Sequence, residues 1–317
     1  MRETSSNVLM TKSSAPGKII LFGEHAVVYG RPALAVPVTQ VHTVVSISDA
    51  SRPGIWIDAP DVNLNAELNT LPSDHPIASV IHNFLFLAHV SKFPNLDIKI
   101  NSTIPVASGL GSGAAVTVAL TRALSAHLSY SMTDEEVNAF TYEIEKLHHG
   151  TPSGIDNTVV TYAKPVYFVK GSPIETFKAG QPFTVVIADT GISAPTKESV
   201  SDVRRLWMND KSRWETVFDK IGEISFTARR AIEAGKPELL GELMNENHAL
   251  LQKLTVSSSQ LDQLVEVAQN AGALGAKLSG GGRGGNLIAL VEPKIAESVS
   301  LSLKEAGAKN TIITQIL

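Results

Sequence analysis

The sequence predicts an α+β protein built from two domains. Its 317 residues exceed the roughly 100–200 of a common single domain. A stretch rich in Gly, Pro and Ser at 171–182 interrupts the chain, so a boundary is expected near residue 180, dividing it into 1–180 and 181–317. The second unit reads strand, helices, strand, strand, helix, strand. That is a ferredoxin-like βαββαβ order with extra helices in its first crossover.

In the first unit, residues 18–22 and 41–47 are rich in branched and aromatic side chains and are expected as strands. Pro76 opens a helix whose apolar face is Ile77, Val80, Ile81, Phe84 and Leu87. Residues 96–100 alternate apolar and polar, as a half-buried strand does. After the glycines at 109–113, Val116, Leu120, Leu124 and Leu128 recur every four residues on one helical face. Thr133 and Glu136 form a capping box for a third helix, with Asp134 and Glu135 suited to its positive start. Its stripe is Val137, Phe140, Ile144 and Leu147, and Gly150 is expected to end it. By propensity alone, residues 158–162 (Thr-Val-Val-Thr-Tyr) read as a strand.

In the second unit, 184–188 is an expected strand. Helical patterns fill 198–234, 237–253 and 259–271, with Gly235 and Gly272 as stops. Short strands follow at 276–278 and 286–291, then a helix over 294–305 and a last strand over 311–317.

Composition narrows the function class. Apolar residues make up 43% and charged residues 18%, which suits a globular core and excludes a long disordered or coiled-coil chain. The net charge of −4 draws neither nucleic acid nor an anionic membrane, so an anion site must be local. With no cysteine in the chain, disulfide frameworks, thiolate zinc sites and cysteine nucleophiles drop out. The start, Met1-Arg2-Glu3-Thr4, has no apolar stretch behind it. A cytoplasmic protein without a signal peptide is therefore expected.

Five segments carry candidate chemistry. Pro105-Val106-Ala107-Ser108-Gly109-Leu110-Gly111-Ser112-Gly113-Ala114-Ala115 places glycines and serines just before an amphipathic helix. Free N–H groups and the helix dipole there favour a phosphate, although a plain glycine turn reads the same way. It is not a Walker A loop, since no Lys-Ser or Lys-Thr follows. Gly280-Gly281-Gly282-Arg283-Gly284-Gly285 holds more glycine than a hairpin needs, which suggests a backbone that approaches something closely. In His148-His149-Gly150-Thr151-Pro152-Ser153-Gly154-Ile155-Asp156-Asn157, a Pro/Gly turn aims Asp156, and Glu145 lies just upstream. Two carboxylates could hold a divalent metal and act as a base. The adjacent histidines point to different sides of a helix and fit a helix C-terminus better than a metal. Pro16-Gly17-Lys18 and the Glu24-His25 pair sit at a strand and the loop that follows it. Asp189-Thr190-Gly191-Ile192-Ser193-Ala194-Pro195-Thr196-Lys197 ends a strand and starts a helix, as a binding segment or simply as a turn with a cap.

In this order along one chain, the segments resemble the GHMP kinases, the superfamily of galactose, homoserine, mevalonate and phosphomevalonate kinases. Residues 16–30 resemble its first motif, 105–115 its phosphate loop and 277–285 its third motif. The stretches 23–30, 150–157 and 189–197 are most similar to its mevalonate-phosphorylating branch. The resemblance implies a ribosomal-protein-S5-like N-terminal domain, a ferredoxin-like C-terminal domain and ATP bound between them. It implies ATP- and Mg2+-dependent phosphorylation of the C5 hydroxyl of mevalonate. ATP and mevalonate are then the partners, with no nucleic acid and no membrane, and a homodimer stays open.

By position, the resemblance makes Asp156 the catalytic aspartate and Lys18 the lysine beside it. It makes Glu145 the metal-binding glutamate, and Pro105, Ser108, Gly109, Leu110, Gly111, Ser112, Gly113 and Ala114 the phosphate cradle. Lys18, Glu24, His25, Asp156 and Thr196 would contact mevalonate. It also implies a helix, not a strand, after Asp156. Two departures stand out. Gly113 occupies the place of a serine that contacts metal in the family, leaving Ser112 or a water to fill that place. Arg283 stands where the family has glycine, free to stack, to bind phosphate or simply to be solvated, and Gly281 stands where it has alanine. Another small-molecule kinase, a mevalonate-phosphate decarboxylase, a non-catalytic nucleotide sensor and a ferredoxin-like interaction module are the competing readings.

Overall fold

A computed structural model describes residues 10–105, 108–149, 152–193 and 196–317. The first half holds β1 (Thr11–Phe22), β2 (Ala33–Asp49), β3 (Ile55–Ala59), β4 (Leu64–Glu67), α1 (Pro76–Leu87), β5 (Leu96–Ser102), α2 (Ser112–His127), α3 (Asp134–His149), α4 (Ile155–Tyr162), β6 (Val166–Phe168) and β7 (Glu175–Thr176). The second holds β8 (Phe183–Asp189), α5 (Thr196–Asn209), α6 (Lys211–Glu233), α7 (Leu240–Lys253), α8 (Ser259–Asn270), β9 (Gly275–Ser279), β10 (Asn286–Val291), α9 (Ala296–Glu305) and β11 (Asn310–Ile316). No helix among the described residues is long and apolar enough to cross a membrane.

The long strand β2 organises the first sheet. β1 runs antiparallel along one of its edges, and β5 and β6 share the other. β3 joins β5 in parallel, which makes the sheet mixed. Both β1 and β2 extend well beyond the expected 18–22 and 41–47. The added half of β1, Thr11 to Gly17, is polar and a poor strand former by itself. Pairing recruits it, because each residue faces β2 in register from Thr11 opposite Ile47 to Pro16 opposite His42. The register slips between Pro16 and Gly17, where proline has no N–H to give the ladder. Such bulges re-aim the side chains that follow, and the next residue is Lys18. The short strands β3, β4, β6 and β7 escaped the sequence reading. They run to between two and five residues, too few for a period to show.

The second sheet has the order β11-β8-β10-β9, all neighbours antiparallel. This is the expected ferredoxin-like arrangement, with α5 to α8 in its first crossover. The helical pattern expected over 198–234 is two helices. Asp210 separates them and caps α6 by accepting the Arg213 N–H at 3.1 Å. The start of the 237–253 pattern is a 3-10 turn, Pro237–Leu239, ahead of α7.

The expected helix after Asp156 is present as α4, against the strand propensity of Thr158 to Tyr162. Thr158 turns its hydroxyl back to the Gly154 carbonyl at 2.6 Å, and Val159 and Val160 are buried. Packing on β1 and β2 decides the conformation there. One apolar cluster runs through both halves, from Leu21 and Val118 to Ile187 and Leu287. The halves also touch where β1 meets β9 and β2 meets β11.

α3 carries Glu145, and its start is built as the sequence implies. Thr133 Oγ1 accepts the Glu136 N–H at 3.2 Å, while Glu136 Oε2 accepts the Thr133 N–H at 2.7 Å. Gly150, expected as its end, lies outside the described residues. Replacing Thr133 by alanine is expected to lower unfolding free energy by about 1 kcal/mol. Adding Glu136→Ala should cost little more, since the box is reciprocal. Urea melts of the two single variants and the double variant check this, and additive losses would contradict it.

Candidate active site

Lys18 lies on β1 just past the bulge, with its side chain only 4% exposed. A lone ammonium there would be costly. Asp156 supplies the counter-charge, with Oδ1 2.9 Å from Lys18 Nζ. Asp156 is in the first turn of α4, positioned by Gly154 in the left-handed region at φ 93°. Asn157 beside it donates to Asn138 Oδ1 at 2.6 Å and so pins α4 to α3. The carboxylate itself is 33% exposed, so one member of the pair still faces the solvent side.

The glycine loop closes over the same lysine. The Lys18 N–H donates to the Leu110 carbonyl at 2.9 Å. Gly111, at φ 75°, begins α2, and a Cβ on it would fall 2.8 Å from Lys18 Cγ. Only glycine fits there. Lys18 thus connects the start of α2 to Asp156. No side chain caps α2, which leaves its first N–H groups available to an anion. Gly113 is exposed, and a Cβ there would meet nothing within 4 Å. The loop is braced from below. Ser108 donates its hydroxyl to the Pro105 carbonyl at 2.9 Å, and the Ser108 carbonyl accepts from Asn286 Nδ2 of β10. Val106 and Ala107 lie outside the described residues.

Glu145 is partly buried on α3. Burial first, and then the negative charge of Asp156, push its carboxyl up to about 8, against the pull of Lys18. Two carboxyl groups therefore share one lysine, and ionising both would leave the site short of positive charge. Among the described residues no group of three or more His, Asp or Glu side chains is placed to hold a metal ion. His148 is half-buried in the last turn of α3. The His149 side chain, Gly150 and Thr151 lie outside the described residues.

Glu24 and His25 follow β1. Glu24 is fully buried and pairs with Lys277 of β9, itself fully buried. Lys277 also donates to the Leu278 carbonyl at 2.6 Å. Burial pushes the Glu24 carboxyl up and the Lys277 ammonium down, and each group opposes the other's shift. Glu24 Oε2 has no hydrogen-bond partner among the described residues. His25, at φ 61°, lies 3.1 Å through Nε2 from the Gly281 carbonyl. A carbonyl only accepts, so Nε2 carries the proton and Nδ1 presents a lone pair. Thr196 stands exposed at the start of α5 against the same glycine: a Cβ on Gly281 would lie 2.9 Å from Thr196 Oγ1. His25 and Thr196, far apart in sequence, thus converge on one peptide.

The glycines of the 280–285 loop are needed chiefly against the protein itself. A Cβ on Gly282 would fall 1.9 Å from the Val256 carbonyl oxygen. Arg283 is not directed at a phosphate site. It pairs with Asp202 of α5 at 2.5 Å and donates to the Thr255 carbonyl at 3.3 Å. Sequence reading passed over Asn286 as a brace for the loop and Lys277 as the partner of Glu24. The signal for Lys277 was a charged residue inside the short apolar strand Ala276-Lys277-Leu278. Nothing near Asn286 marks it out.

Comparison with known proteins agrees with this geometry. A family model described as the GHMP kinases N terminal domain matches residues 77–164, and one described as GHMP kinases C terminal matches 228–309. Mevalonate kinase of Thermococcus sibiricus is 36% identical, over 96% of this chain and 95% of its own length. That of Pyrococcus abyssi is 37% identical over the same shares. Among solved structures, L. major mevalonate kinase in complex with R-mevalonate superposes with a TM-score of 0.85 at 30% identity, covering 100% of this chain and 98% of that one.

Burial lowers the His25 pKa to about 4, from an ordinary 6.5. Between those values the unfolded chain holds the extra proton, so stability rises with pH across this window and is lost as pH falls from about 6.5 to about 4. The His25→Asn variant, which tolerates the positive φ, should show a shallower loss. Thermal melts from pH 7 to pH 4 check it. Parallel curves for the two proteins would contradict it.

Proposed function

The chain belongs to the GHMP kinase family, and on that premise we propose that it transfers the γ-phosphoryl group of ATP to the C5 hydroxyl of mevalonate. The observation that carries the chemistry is Lys18, which reaches Asp156 at 2.9 Å while packing against Gly111 at the start of α2. An anion site and a candidate base are thereby joined by one side chain.

The first N–H groups of α2, with Gly109, Leu110, Gly111, Ser112, Gly113 and Ala114 around them, bind the phosphates of ATP. Pro105 and Ser108 hold the loop in shape. The open space at Gly113 leaves the backbone accessible. The C5 hydroxyl oxygen attacks the γ-phosphorus, its bond to the bridging oxygen of ADP breaks, and the hydroxyl proton passes to Asp156. Lys18 stabilises the charge that grows on the attacking oxygen and keeps Asp156 aimed at it. Transfer of this kind depends on positioning and charge neutralisation more than on covalent help. His25 and Thr196, meeting at Gly281, orient the acceptor, while Glu24 is closed off from it in the buried pair with Lys277.

The donor set suits Mg2+. Glu145 and Asp156 are hard oxygen ligands short of positive charge, and the Ser112 hydroxyl lies at the start of α2. Mg2+ would be held by Glu145 and Ser112 together with phosphate oxygens, and it would neutralise charge on the phosphates during transfer.

Coupled detection of ADP across a panel of acceptors tests the reading. ADP release should depend on mevalonate. Release that instead follows a phosphorylated acid or another polyol would overturn the assignment. In the same assay Asp156→Ala should lower turnover by at least about a hundredfold, while calorimetry finds ATP affinity nearly unchanged. Turnover retained in that variant would remove Asp156 from the role of base.

A further inference from the structure

α5 is held mainly at its C-terminal half, where Leu206 and Trp207 pack against the core; only Ser199 and Val203 are buried outright. Its first turn nevertheless rests on the glycine loop, since a Cβ on Gly281 would lie 2.9 Å from Thr196 Oγ1 and 3.2 Å from Thr196 Cα. Two turns further on, the Asp202 carboxylate takes Nη1 of Arg283 at 2.5 Å. Thr196 and Asp202 thus give α5 two separate contacts with the loop.

Arg283 is well placed as an anchor. Its N–H donates to the Val256 carbonyl at 2.7 Å and its Nε to the Thr255 carbonyl at 3.3 Å. It holds φ 60°, a conformation that an arginine adopts at a cost and a glycine adopts freely. Asp202 is drawn below its usual pKa first by the bond from Arg283 and then by Arg205. The Gly281 carbonyl also faces His25, so any slide of α5 along the loop changes the distance between Thr196 and His25.

We propose that the Arg283–Asp202 ion pair is a latch that seats α5 on the glycine loop and fixes Thr196 opposite His25, making Arg283 a positioning residue for the acceptor substrate. The part concerning the acceptor rests on the mevalonate reading above. The seating of α5 does not.

The full-length enzyme tests it with four variants: Arg283→Gly, Arg283→Lys, Asp202→Asn and Arg283→Gly combined with Asp202→Asn. Arg283→Gly keeps the loop backbone while removing the latch. It should raise KM for mevalonate by about three- to fivefold, the range of a partly exposed ion pair, with kcat and KM for ATP little changed. Asp202→Asn should do the same, the double variant should be no worse than either single one, and Arg283→Lys should recover most of the loss. Hydrogen exchange of the α5 amides, read without substrate, should quicken in Arg283→Gly by a similar factor. Unchanged α5 exchange would overturn the latch. An unchanged KM, additive single losses, or kcat falling in step with KM would overturn its positioning role. Faster α5 exchange in an enzyme that proves indifferent to mevalonate would uphold the latch and count against the acceptor assignment alone.

Discussion

The positive charge of Lys18 is the constraint to which the rest of the site conforms. A lysine 4% exposed on β1 must have a counter-charge, and Asp156 at 2.9 Å provides it. Its aliphatic stem then needs space, which Gly111 leaves by having no side chain. Its backbone N–H needs an acceptor, and the Leu110 carbonyl serves. β1, the start of α2 and the start of α4 are therefore tied to one residue. The uncapped N–H groups at the start of α2 and the Asp156 carboxylate keep their relation because both refer to the same ammonium. Glu145 stands at the edge of this arrangement, its carboxyl pushed up to about 8 by burial and then by the charge of Asp156.

A second buried pair does for the two halves what Lys18 does for the loop. Glu24 follows β1 and Lys277 lies on β9, and both are closed off from water. Removing one partner of such a pair commonly costs about 3–5 kcal/mol, whereas the intact pair adds little beyond apolar residues of the same size. Its contribution is registration. With Ser279 donating to the Ile20 carbonyl at 2.7 Å and His25 facing the Gly281 carbonyl, it sets β9 and the glycine loop against β1. Asn286 repeats the link on the other side through the Ser108 carbonyl. His248 supports β9 from behind by accepting the Leu278 N–H at 3.3 Å through Nδ1, while its Nε2 faces Asp262.

Much of this was legible in the sequence wherever a local rule applied. The capping box at Thr133, the proline at the start of α1 and the four-residue stripe of α2 each specify a helix through short-range chemistry. The βαββαβ order is legible because its strands are separated by long, well-punctuated helices and by one glycine-rich loop. Polar Thr11 to Gly17 was not legible as a strand, because only its pairing with β2 makes it one. The break at Asp210 carries neither glycine nor proline. The site residues stood in recognisable segments, but their relations did not. No spacing reveals that Lys277 would reach Glu24, that Arg283 would turn to Asp202 rather than to a phosphate, or that His25 and Thr196 would meet at Gly281. Those contacts span between 81 and 256 positions in sequence, and the fold alone brings them together.

The central claim is that Lys18 and Asp156 act as one unit. Mevalonate-dependent turnover in Lys18→Met, Asp156→Asn and the double variant, set against the parent in a double-mutant cycle, tests it most directly. The account predicts strong non-additivity, with the double variant about as impaired as the worse of the two single ones. Losses that multiply independently would show that the two residues serve separate steps and would contradict the account.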